Sequence, residues 1–132
     1  MRKRVKRVNL NTTSRSHDKL MLKNLFTSLV IYGKVATTET KARALKSFAL
    51  AQVADYAKLT ESRILKRWIN SEISTLKFRK RASEKLNTLK GDFKVTMVRV
   101  APRKGDNAAK YEVSILNYDV KNTNEQNNVA ES

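Results

Sequence analysis

Residues 82–100 read ASEKLNTLKGDFKVTMVRV, and the spacing of the apolar side chains changes inside that stretch. Before Gly91, Ala82, Leu86 and Leu89 recur at intervals of four and three, which puts them on one face of a helix. After Asp92, Phe93, Val95 and Met97 alternate with Lys94 and Thr96, the period of a half-buried strand. Gly91-Asp92 is the break between the two. Val98 and Val100 then take the apolar positions out of phase with Phe93, which predicts a bulge or extra twist near Met97-Val98.

Upstream of this junction the helical period dominates. Leu22, Leu25, Phe26, Leu29 and Val30 form one stripe, with Ser16 as the expected N-cap, Asp18 in the first turn and Gly33 as the C-cap. Lys34 to Thr38 reads as a short strand. A second helix is expected over Glu39 to Leu59, capped by Thr37 or Thr38, with Ala42, Leu45, Ala49, Val53 and Tyr56 buried. A third should run from Glu61 to Leu76, with Leu65, Ile69, Ile73 and Leu76 on one face, and a fourth from Arg79 to Leu89. Downstream, Tyr111, Val113 and Ile115 alternate with Glu112 and Ser114 as a last strand. The connection from Ala101 to Ala109 is too long for a two-residue hairpin turn.

The order is therefore helix, strand, three helices, two strands: an α+β domain with helices packed on one side of a small antiparallel or mixed sheet. We expect a basic arm and loop over 1–15, one folded domain over 16–117, and a disordered Asn-rich tail over 118–132. No internal repeat is visible.

Charge sets the function class. Among 132 residues, 28 Lys and Arg face 12 Asp and Glu, a net charge of +16 with a pI near 10.4. So large an excess repels itself unless it meets a polyanion, and it exceeds what solubility requires. The chain has no cysteine, which removes disulfides, thiol catalysis and Cys-bearing zinc sites. The apolar run Leu29-Val30-Ile31-Tyr32 is a core segment, far short of the roughly 18 residues of a membrane span.

Catalysis has no visible candidates. His17 is the single histidine, and beside Asp18 it has neither the partners of a triad nor those of a metal site. The acids are scattered without a D-x-D or E-x-x-E pair, and no phosphate-cradling glycine motif occurs. We expect no enzyme activity, no cofactor and no small-molecule substrate.

The cations gather in patches. Arg2, Lys3, Arg4, Lys6 and Arg7 make an opening run that cannot bury itself, followed by Arg15, Lys19 and Lys23 with Asp18 the one acid up to that point. Further groups are Lys41, Arg43 and Lys46; Arg63, Lys66 and Arg67; Lys77, Arg79, Lys80 and Arg81; and Arg103-Lys104 in the late loop. A charge run on a helix is commonly only a solvated face, and for Arg63, Lys66 and Arg67 that reading stands level with a binding role. For the arm, contact with phosphates is the physical use, through release of condensed counterions. Four Phe, four Tyr and one Trp are spread singly, and Phe26, Phe48, Trp68, Phe93 and Tyr111 fall on apolar stripes as core residues. Without an exposed stacking platform, recognition should go by the shape and backbone of a folded nucleic acid.

Several motifs, in order, resemble a known family. Asn9-Leu10-Asn11 followed by Ser16-His17, then Met21-Leu22-Lys23-Asn24-Leu25 and Ser28-Leu29-Val30, resembles the opening of ribosomal protein seventeen of the bacterial large subunit. Thr37-Thr38 with Lys41-Ala42 and Leu45 is similar to that family's strand-to-helix junction, and Arg103-Lys104-Gly105-Asp106-Asn107-Ala108 to its late basic loop. The match covers about the first sixty residues and the last forty of the folded part; residues 60 to 90 hardly match. Asp18 stands where the family commonly has a base, and Tyr32-Gly33 replaces a His-Glu-like pair.

The resemblance implies a structural, non-catalytic protein bound to large-subunit rRNA near the outer end of the peptide exit tunnel, beside neighbouring large-subunit proteins. An Arg-rich, hydroxyl-rich start also suits a mitochondrial transit peptide. Because the arm aligns with the family's own start, the resemblance implies mature sequence on a cytoplasmic ribosome in preference to an organelle one. The expected RNA contacts are Arg2, Lys3, Arg4, Lys6, Arg7, Asn11, Arg15, His17, Lys19, Lys23, Lys41, Arg103 and Lys104. The rival reading is an architectural DNA-binding protein, which would need a wedge or recognition element that the pattern does not offer. A membrane-surface protein would need a basic amphipathic helix with exposed Leu or Phe.

Overall fold

A computed structural model describes residue 10 and residues 14–73, 75–90 and 93–117. The expectations for the arm (Arg2, Lys3, Arg4, Lys6, Arg7), for Asn11, for the Gly91-Asp92 break and for the tail over 118–132 lie outside these residues.

The elements are α1 (Arg15–Tyr32), β1 (Lys34–Thr37), α2 (Glu39–Lys58), α3 (Ser62–Glu72), α4 (Leu76–Thr88), β2 (Phe93–Val100) and β3 (Lys110–Asn117). The fold is α+β in the expected order. All strand pairs are antiparallel, in the order β1-β3-β2, so the last strand enters between the other two.

The N-cap of α1 is Ser14, not Ser16. Ser14 is extended, and its hydroxyl accepts the backbone N–H of His17 at 3.2 Å. A cap must lie outside the helical dihedrals, and Ser16 is already inside the first turn. At the other end Gly33 adopts φ 81°, and its N–H reaches the carbonyl of Leu29 at 2.8 Å. A left-handed residue there closes the helix and lets β1 begin at once.

Helices cover one face of the sheet. Met97 and Val35 both lie opposite Val113, and Phe93, Val95, Tyr111 and Ile115 share that face. Against it pack Phe26, Leu29, Val30 and Ile31 of α1 and the expected stripe of α2, while Ala82, Leu86 and Leu89, in and just beyond α4, join the same core from the helical side, where α4 packs on α1. Each such fully buried large side chain contributes about 1.5–3 kcal/mol of apolar transfer. The aromatic residues tie the helices together. Phe26 meets Phe48 edge-on at 5.7 Å and Trp68 at 6.5 Å, and Tyr56 lies 5.0 Å from Trp68.

Two further expectations are corrected. No bulge interrupts β2: its register with β3 is unbroken from Phe93 opposite Asn117 to Val100 opposite Lys110. Val98 faces outward and is 58% exposed, so the apolar pair Met97-Val98 serves the two faces of a regular strand. Leu76 does not extend the buried stripe of α3. That helix ends at Glu72, and Leu76 opens α4 with 76% of its surface exposed.

Candidate nucleic-acid interface

The first turns of α1 project charge because Ser14 fixes where the helix starts. Arg15, Lys19 and Lys23 then follow at steps of four, one above another on a single ridge. Like charges at that spacing repel by a few tenths of a kcal/mol per pair, so an anion along the ridge would relieve them. Arg15 and Lys19 are exposed and make no ion pair with a described residue. His17 is also exposed, turned off the ridge by its step of two, and its backbone N–H serves the cap.

Lys23 is different. Its half-buried ammonium donates to the carbonyl of Ser71 at 2.9 Å and lies 4.0 Å from Glu72, at the C-terminal end of α3. The guanidinium of Arg79 donates to the carbonyls of Ile73 and Asn70 at 3.0 and 3.4 Å, at the same helix end. Lys90 donates to the carbonyl of Leu59 at 3.4 Å, just past α2, and stands 5.1 Å over the ring of Tyr56. Cations are favoured at these termini because the last carbonyls have no helical partner. Reading Lys77 to Arg81 as one run missed this. The partners of these caps are distant in sequence, or belong to a helix end with no glycine to mark it.

A second cationic group lies at one end of the sheet. Val100 opposite Lys110 closes the β2–β3 ladder, and Thr37 opposite Tyr111 brings the end of β1 to the same level. Lys41, half-buried in the first turn of α2, therefore leaves the sheet at the end from which residues 101–109 project. The loop is a built turn. Asn107 donates to the carbonyl of Arg103 at 2.9 Å and itself sits at φ 55°, a conformation asparagine tolerates. Arg103 reaches Asp106 at 2.8 Å, while the Ala108 N–H donates to the other carboxylate oxygen at 3.2 Å. That N–H first, and the guanidinium after it, hold the carboxyl of Asp106 below the usual carboxylate range. Asp106 thus orders the turn on which Lys104 is presented, exposed.

The structure brings Lys41, Arg103 and Lys104 to one end of the sheet, sets Arg15 and Lys19 on α1, and gives Lys23 an internal partner. Among the described residues no group of three His, Cys, Asp or Glu side chains could hold a metal ion. No described helix is long and apolar enough to cross a membrane.

A family model described as Ribosomal protein L17 matches residues 21–116. The large ribosomal subunit protein bL17 of Bifidobacterium adolescentis is similar, 33% identical over 98 residues that make up 73% of this chain and 63% of that protein. The chain spans less than two-thirds of that relative's length.

Proposed function

This chain belongs to the ribosomal protein L17 family of the bacterial large subunit, and from that premise we propose that it is a structural, non-catalytic constituent of that subunit that binds large-subunit rRNA. The observation that carries the reading is the extent of the family match: it runs from α1 through β3, across the elements that hold Lys41, Arg103 and Lys104.

The mechanism is neutralisation of phosphates where RNA strands converge. Lys41 with the late loop, and Arg15 and Lys19 with His17 on α1, are cationic groups held at fixed spacing by the α+β core. Arg2, Lys3, Arg4, Lys6, Arg7 and Asn11, from an N-terminal arm that precedes α1, add to these phosphate contacts. Contacts of this kind fix orientation and register, not base sequence. The bacterial-type cytoplasmic ribosome, near the outer end of the peptide exit tunnel and beside neighbouring large-subunit proteins, is the setting we propose.

The test is binding of the full chain to large-subunit rRNA over a range of salt. Affinity should fall by roughly 0.7 to 0.9 log units per tenfold rise in salt for each phosphate contact, and Arg103→Gln/Lys104→Gln should flatten that slope. Equal affinity for duplex DNA of the same length would instead favour an architectural DNA-binding protein.

A further inference from the structure

Residues 61–90 carry nine Lys and Arg against three Glu, and one of those acids, Glu72, is taken up by Lys23. Arg63, Lys66, Arg67, Lys80 and Arg81 are all exposed and make no ion pair with a described residue. Arg63 and Arg67, and likewise Lys77 and Arg81, stand four apart on the same helix, an arrangement that weakens a helix in isolation. Stability alone does not account for such a surface; a polyanion does.

The surface is also concave. A groove of about 420 Å³ lies between α3 and α4, with Lys66, Arg79 and Lys80 among its lining residues and an apolar floor that includes Leu65 and Ile69. None of its lining belongs to the sheet or the late loop. A flat row of cations suits the regular backbone of a duplex. A cationic groove with an apolar floor suits one unstacked nucleotide, whose phosphate needs charge and whose base needs apolar contact. Arg79 spends its guanidinium on the terminal carbonyls of α3, so it braces the wall while Lys66 and Lys80 stay exposed. Ser83 and Glu84 add a hydroxyl and one carboxylate able to accept from a base amino group.

We propose that the α3–α4 groove receives a single nucleotide turned out of the RNA, with its phosphate at Lys66 and Lys80 and its base over Leu65 and Ile69. The proposal rests on the rRNA-binding reading above and adds to it a site separate from the late loop.

The experiment compares the full chain with Lys66→Gln/Lys80→Gln, Ser83→Leu and Arg103→Gln/Lys104→Gln for binding to large-subunit rRNA, with melting curves to verify folding. Lys66→Gln/Lys80→Gln should flatten the log–log salt dependence by about 1.5, two contacts' worth. Ser83→Leu fills the groove without changing charge and should weaken binding about tenfold at unchanged slope. Base-specific chemical footprinting gives the same answer independently: one unpaired nucleotide protected by the wild type should become reactive with Lys66→Gln/Lys80→Gln. A flattened slope without that footprint change means contact with duplex backbone and overturns the nucleotide site. If only Arg103→Gln/Lys104→Gln weakens binding, the groove proposal falls and the rRNA-binding reading survives. A folded wild type that binds no rRNA overturns both.

Discussion

Lys23, on the first helix, donates from Nζ to the backbone carbonyl of Ser71 at 2.9 Å, across 48 residues of sequence. The bond ties α1, which leads into the sheet, to the end of α3, which reaches the core mainly through Ile69 and Trp68. A residue that local charge pattern places among the RNA contacts is, in the folded chain, a brace for the end of another helix.

Lys23→Met should therefore lower stability by about 1 kcal/mol, through the lost charged hydrogen bond at a helix terminus. For a domain of this size the melting midpoint should drop by roughly 4 °C, measured by circular dichroism. The salt dependence of rRNA binding should stay as in the wild type. An unchanged midpoint with a flatter salt slope would return Lys23 to the RNA-contacting set.

The start of α1 can be checked with two serines. Ser14→Ala removes the acceptor of the His17 N–H and should cost about 1 kcal/mol. Ser16→Ala, already inside the helix, should stay within about 0.5 kcal/mol of wild type in urea titrations. A reversed ranking would move the cap to Ser16.

At Gly33 the demand is on the backbone alone. A Cβ placed there meets nothing within 4 Å, yet φ is 81°. Gly33→Ala should thus destabilise by about 1–2 kcal/mol from dihedral strain, and Gly33→Asn by less. Equal losses for the two in the same chemical denaturation series would point to a packing role instead.

The late loop should report on Asp106. Its carboxyl is held below the usual range in the folded chain, so the turn's stabilisation is fully present above the unfolded carboxylate's pKa and is lost as pH falls through the lower, folded one. By NMR, the Ala108 amide should titrate with a midpoint below that of an aspartate in an unstructured peptide. Arg103→Gln should move the midpoint upward. A titration at the ordinary aspartate position in the wild type would mean that the turn does not hold the carboxylate.

Much of the fold was legible because helix and strand periods leave different marks. The stripe Ala42, Leu45, Ala49, Val53 and Tyr56 is buried as its spacing predicts, and Gly33 closes α1 where a left-handed residue was needed. Leu76 and Val98 misled for a shared reason: apolar character says a residue can be buried, not that a partner is present to bury it. Lys23, Arg79 and Lys90 were illegible as caps because what they satisfy are backbone carbonyls brought close by folding. For Arg15, Lys19, Lys41, Arg103 and Lys104 charge is legible residue by residue, while their grouping depends on helix phase and sheet register.

The most direct test of the central claim is sedimentation of a cell lysate through a sucrose gradient at low magnesium, with fractions probed for this chain. A large-subunit constituent travels with the free large subunit and remains there after a moderate salt wash. Recovery at the top of the gradient, or in fractions that follow DNA, would contradict the account.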